Sequence, residues 1–223
     1  AVETGQLETL KQLINSGGKI EEINKNNETL LHIAAARNHL DIVQYLLSKQ
    51  ANTFAKNCDG RIPLHLACQN GHMKIVKELL TNDQMAAVDR WKLTPLHRAA
   101  LKGRKKVVKV LVEAGADINC CSTDGGTPLH SAARGGHIDV LEYLISQKAS
   151  VKAKNAKSKT CLHVAVQRGC TDAVEYLINQ KREIVHDIDY RGRTALHFAV
   201  EKGYKNMVPI LLQGGSDINK VNY

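Results

Sequence analysis

Aromatic residues are scarce: one Trp, two Phe and six Tyr make up 4% of 223 residues. Few side chains are available to stack on unpaired bases, which weighs against single-stranded nucleic acid as the main ligand. No apolar run approaches the ~18 residues a membrane-spanning helix needs, so direct insertion of this segment into a membrane is not expected. The first residues lack the basic start and apolar block of a secretion signal, and there is no initiator Met. No Cys-x-x-Cys pair occurs among Cys58, Cys68, Cys120, Cys121, Cys161 and Cys170, so neither a zinc knuckle nor a disulfide framework fits. Reduced thiols and a cytoplasmic location are expected, with the nucleus as the alternative compartment. His-Glu-x-x-His, Gly-x-Ser-x-Gly, P-loop and dinucleotide-binding patterns are also missing. Neither an enzyme nor a bound cofactor or metal is therefore expected.

Charge is present but uneven. Residues 1–88 hold 9 Lys/Arg and 9 Asp/Glu, and residues 89–223 hold the other 22 and 13, so the whole net charge of +9 lies in the second part. Such asymmetry bears on partners rather than on fold.

Most of the remaining letters belong to a repeat. Leu-His recurs with its histidines at 32, 65, 97, 130, 163 and 197. A Thr three residues earlier (Ile62 in one copy) suits a helix N-cap, and Pro63, Pro95 and Pro128 suit the first helical position. Ala34, Ala67, Ala99, Ala132, Ala165 and Ala199 follow each His by two, where a methyl allows a neighbouring helix to approach. Six past the His stands a Gly, or Asn38, to end the helix in the left-handed conformation. Then comes a second apolar stripe, as in "IVQYLL" and "VLEYLI".

A two-helix unit of about 33 residues that buries its apolar face only by stacking, with its Thr-Pro-Leu-His and Gly-Ala-Asp-Ile-Asn segments, resembles the ankyrin-repeat family. The expected fold is all-α, an ankyrin-repeat solenoid of stacked helix-turn-helix units with β-hairpin fingers. The register places a partial repeat at 1–23 and full repeats at 24–56, 57–88 (shortened), 89–121, 122–154, 155–188 (one residue longer) and 189–221. Residues 222–223 begin another. With neither end resembling a polar capping repeat, the chain is expected to be a segment of a longer array within a scaffold or adaptor protein. Pro209 falls in a second helix and is expected to bend it.

The resemblance implies that the Leu-His imidazoles hydrogen-bond within the Thr-capped turn and toward the next repeat. His39, His72 and His137 share one further equivalent place. The helix register turns Lys105, Lys106 and Lys109 to solvent, and no strand–turn–helix context supports Ser122 as a nucleophile. Cys68 and Cys161 read as buried filler.

In the ankyrin fold, the finger tips and the ends of the first helices line a concave groove that grips partners. In the last four repeats those positions carry nine basic residues against Asp124 and Glu201. The candidate partner contacts are Arg90, Trp91, Lys102, Arg134, Lys157, Lys159, Arg168, Tyr190, Arg191, Arg193 and Lys202. Trp, Tyr and Arg dominate interface hot spots, although Trp91 also suits covering a neighbouring finger's stem. The expected function is non-catalytic binding of a protein partner through its acidic segment. The alternatives are a nucleic-acid surface, for which no reader motif appears, and the cytosolic ankyrin region of a membrane channel. Asn119 and Asn219 each end a Leu-x5-Asp-Ile-Asn pattern. The resemblance implies these as sites for the oxygen-sensing asparaginyl hydroxylase, against the alternative that they are kept for turn hydrogen bonds.

Overall fold

A computed structural model describes all residues, Ala1–Tyr223. The α-helices are α1 Leu7–Asn15, α2 Leu30–Arg37, α3 Leu40–Ser48, α4 Pro63–Asn70, α5 Met73–Leu79, α6 Asn82–Ala86 and α7 Pro95–Leu101. They continue as α8 Lys105–Glu113, α9 Pro128–Gly135, α10 Ile138–Ser146, α11 Cys161–Arg168, α12 Thr171–Gln180, α13 Ala195–Glu201 and α14 Met207–Gln213. Two compact units result: Ala1–Ala99 with Lys106–Ala116, and Ala100–Lys105 with Asp117–Tyr223.

Each unit is a stack of helix pairs. In the first, α2 packs on α3 and α4 on α5, while α2 and α4 lie side by side; in the second, α9, α11 and α13 adjoin in turn, backed by α10, α12 and α14. The repeated alanines, Ala34 and Ala67 in one unit and Ala132, Ala165 and Ala199 in the other, are fully buried. Aliphatic side chains such as Ile42, Leu46, Leu141 and Leu144 fill the space behind them, each stabilising by about 1.5–3 kcal/mol relative to exposure. Helices α2, α4, α9 and α11 end in left-handed Asn38, Gly71, Gly136 and Gly169.

The β-hairpin fingers expected from the sequence do not form. There is no strand, only an isolated antiparallel bridge between Ile23 and Thr29. The reason lies in how each finger closes. Asn57 Oδ1 accepts from the backbone N–H groups of Asp59 and Arg61, both at 3.0 Å, and one backbone bond, Asn57 N–H to Arg61 O at 3.0 Å, completes the turn. The chain then enters the helix cap at once and leaves no residues for a second rung. Asn24, Asp89, Asn155 and Asp189 make the same side-chain clasp, and Ser122 makes a shorter version with Gly126. Successive fingers join by single backbone bonds. These run from Cys58 N–H to Asn26 O and Arg90 N–H to Asp59 O in the first unit, and from Ala156 N–H to Asp124 O and Tyr190 N–H to Lys157 O in the second.

The clasp forces positive φ one residue before it closes: Asn27 56°, Gly60 72°, Lys92 56°, Gly125 71°, Ser158 55° and Gly192 76°. A side chain with a Cβ is strained there by roughly 1 kcal/mol or more. Lys92→Gly and Ser158→Gly should therefore each raise stability by about 1 kcal/mol, read from urea midpoints; a loss in both would contradict the clasp geometry.

The irregular repeats fold locally. The segment after α5 forms α6, capped by Thr81 Oγ1, which accepts from Gln84 N–H at 3.3 Å. The longer repeat inserts a 3-10 turn, Arg182–His186, which buries Ile184 and Val185. Pro209 is only the third residue of α14. Its missing N–H falls in the first turn, where no intrahelical bond is lost, so it does not interrupt the helix interior as expected.

Candidate functional site

The histidines build the frame. In all six copies the backbone N–H of the cap residue donates to the imidazole Nδ1 at 3.2–3.3 Å, which leaves the ring proton on Nε2. From there His32 donates to Arg61 O at 2.9 Å and His65 to Leu93 O at 3.0 Å. In the second unit His130 donates to Lys159 O at 3.0 Å and His163 to Arg193 O at 3.2 Å. Each ring thus clamps the backbone of the following finger. Burial lowers the pKa of His32 and His130 and brings His65 and His163 down to about 4, opposed by these carbonyls. His72 and His137 reach backward instead, to Ala36 O at 3.0 Å and Leu101 O at 3.1 Å.

In the first unit the clamped fingers present a Trp–Arg cluster. Trp91 is 39% exposed, with the guanidinium carbons of Arg90, Arg98 and Arg61 at 4.1, 5.2 and 5.8 Å from its ring centroid. Arg98 is nearly buried and held twice by Asp89 Oδ2, once from Nε at 2.9 Å and once from its terminal nitrogen. Asp89 Oδ1 meanwhile accepts from Trp91 N–H and Leu93 N–H, both at 2.9 Å. Arg98 and Asp89 were not among the sequence candidates. Their signals were there: the residue after each Leu-His His is otherwise Ile33, Leu66, Ser131, Val164 or Phe198, and the residue eight before it is always Asn, Asp or Ser.

In the second unit Arg134, Lys157, Lys159, Arg168 and Lys202 line one cavity of about 330 Å³, with Asp124 the single carboxylate. Arg134 is 3.4 Å from Asp124, both largely exposed, so that pair is weak. Lys159 is only 8% exposed, and its ammonium lies 4.8 Å from the Phe198 ring centroid. Arg193 is engaged internally, with Asp189 Oδ2 at 2.9 Å and Glu201 at 3.3 Å. Burial raises the Asp189 pKa, but the bonds from Arg193 and Arg191 outweigh it and leave the carboxylate lowered. Tyr190, 51% exposed, carries Arg191 at 5.2 Å on the next fingertip. Lys102 is exposed just after α7.

Other residues with reactive groups are structural. Ser122 Oγ sits 2.6 Å from Asp124 Oδ1 and accepts from Gly126 N–H at 3.1 Å, closing its finger. Cys68 and Cys161 are fully buried, and burial pushes both thiols up, Cys161 to about 12. No group of three or more His, Cys, Asp or Glu side chains is placed to hold a metal ion, and no helix is long and apolar enough to cross a membrane. Asn119 and Asn219 are exposed in turns, each backbone N–H donating to Asp117 or Asp217 Oδ1 at 2.8 Å.

Comparison with known proteins agrees with this architecture. A family model described as "Ankyrin repeats (3 copies)" matches residues 1–86 and 148–222. A second, "Ankyrin repeats (many copies)", matches 64–112 and 96–145. The chain is 30% identical over 135 residues to the tyrosine-protein kinase HTK16 of Hydra vulgaris, 57% of this chain and 18% of the kinase. Over 63 residues it is 46% identical to protein phosphatase 1 regulatory subunit 27 of Mus musculus, 28% of this chain and 41% of that protein. Over 59 residues it is 34% identical to the eye-specific diacylglycerol kinase of Drosophila melanogaster, 26% of this chain and 4% of that protein. These stretches thus span less than half of each relative's own length. With family models matching more than half of its residues, the chain belongs to the ankyrin-repeat family.

Proposed function

We propose that this chain binds an acidic segment of a partner protein, with the finger tips and first-helix ends as the contact surface. Ankyrin repeats are non-catalytic protein–protein interaction modules, and that much holds for this chain. The acidic preference is carried by one observation: five cations share a cavity in the second unit with a single carboxylate. Half-exposed Tyr190, beside Arg191, supplies the second unit with an apolar anchor of the kind that dominates interfaces, and Trp91, beside Arg90, supplies the first unit with one of its own. That matched stretches occur in two kinases and a phosphatase regulatory subunit suits a recognition element carried within a larger signalling or scaffold protein.

An immobilised library of Asp/Glu-rich peptides containing one Leu or Phe tests this. The wild-type chain should be retained in a salt-sensitive manner, and Arg134→Glu with Arg168→Glu should cut retention by roughly tenfold, since charge reversal at a complementary surface costs more than a kcal/mol. Equal retention of wild type and double variant would reject the surface.

A further inference from the structure

We propose that the cavity of the second unit is a phosphate-binding pocket, and that the acidic segment it takes carries a phosphorylated Ser or Thr at its centre. The inference rests on the acidic-segment reading and sharpens it. Its basis is Lys159. Only 8% of this residue is exposed, it lines the cavity, and its ammonium forms no direct ion pair, Asp189 and Glu201 acting on it from further away. The ammonium lies over the Phe198 ring instead, with Arg193 on the same ring at 4.2 Å but already paired with Asp189 and Glu201. A lysine whose side chain is largely covered, whose ammonium opens only into the cavity and whose nearest carboxylates already serve Arg193 favours an anion that can reach it there.

The residue is also held in place. Its backbone carbonyl accepts the His130 Nε2 proton at 3.0 Å, and its N–H donates to Asn155 Oδ1 at 3.0 Å. The floor cation therefore cannot swing out to solvent by moving the finger. Around it Arg134, Lys157, Arg168 and Lys202 form an exposed ring, and none but Arg134 has a carboxylate within ion-pair range. A carboxylate side chain brings one charge and two acceptor oxygens. A phosphorylated hydroxyl brings a charge of about −1.5 to −2 and three acceptor oxygens, which matches a floor ammonium with flanking guanidinium groups. Burial and Arg193 together hold the Lys159 ammonium below the usual lysine range; a bound dianion would act against both.

The test uses the full chain and three peptide libraries with Asp/Glu-rich flanks that differ only at the centre: phosphoserine, Glu or Ser. Phosphoserine should be retained about tenfold more tightly than Glu. Lys159→Gln, which keeps a polar side chain of similar length and so should fold, should bring the two to parity, with the phosphoserine library losing about tenfold more of its retention than the Glu library. Lys202→Ala, at an exposed position, should lose several-fold of the same preference, with far-UV CD confirming that both variants are folded. Equal retention of phosphoserine and Glu libraries overturns the pocket and leaves the acidic-segment reading standing. Retention of none of the three overturns both. A preference that survives both substitutions places the phosphate elsewhere and overturns the assignment to Lys159. A phosphate-bearing oligonucleotide retained as tightly as the phosphopeptide would assign the pocket to nucleic-acid backbone instead.

Discussion

Asp89→Ala should destabilise the first unit by roughly 3–5 kcal/mol, the range for stranding one partner of a buried ion pair. The carboxylate is fully buried and every lone pair on it is spoken for. Oδ1 closes the finger through the N–H groups of Trp91 and Leu93, and Oδ2 holds Arg98. Removing it leaves a guanidinium that is 9% exposed with no carboxylate partner, beside the Trp91 ring and the like charge of Arg61. Asp89→Asn separates the two contributions: the finger clasp persists, as Asn57 and Asn155 show in their own fingers, while the charge on Arg98 loses its partner. Combining Asp89→Asn with Arg98→Leu should recover most of the loss, because Leu66 is accommodated at the equivalent place. Urea unfolding followed by the fluorescence of Trp91, the only tryptophan, reads all three variants at the site itself. A change below 1 kcal/mol in Asp89→Ala would refute the account.

Acid should unfold the protein well before its carboxylates protonate. His65 and His163 titrate near 4 in the fold against about 6.5 in an open chain, with burial the main cause. The unfolded state thus binds more protons between those values, so stability rises with pH across the window. The contribution is complete above about pH 6.5, falls as pH drops toward 4, and amounts to about 3 kcal/mol for each ring. His32 and His130 are shifted in the same direction. Urea midpoints should be flat from pH 8 to 7 and decline steeply from 6.5 to 4.5. The imidazole proton resonances of His65 and His163 should not titrate until the chain opens. A flat stability profile down to pH 4.5 would show that these rings are not held neutral.

The residues that were legible in advance share one property: their chemistry is complete within a few positions. Thr29, His32 and Asn38 cap and stop a helix through bonds to their own turn, so each copy announces itself. The finger was misread as a hairpin because a tight turn flanked by polar residues looks the same whether two rungs or one follow. What decides it is the clasp side chain at Asn24, Asn57, Asp89, Ser122, Asn155 and Asp189, whose identity varies while its oxygen does not. The Asp89–Arg98 pair spans a finger and a helix turn, and pattern reading at fixed register treats its two members separately. Lys159 was counted among surface cations, and its burial comes from Phe198 on α13, contributed by the following repeat.

The one-rung fingers also limit how anything can dock. A sheet margin offers a row of unpaired amides and carbonyls onto which an extended peptide can be added as one more strand, whatever its side chains. Here the turns consume those groups in side-chain clasps and single junction bonds, so no such template exists. Ligand choice must then be made by head groups and rings rather than by main chain, and a handful of substitutions at the tips would suffice to redirect it without disturbing the stack.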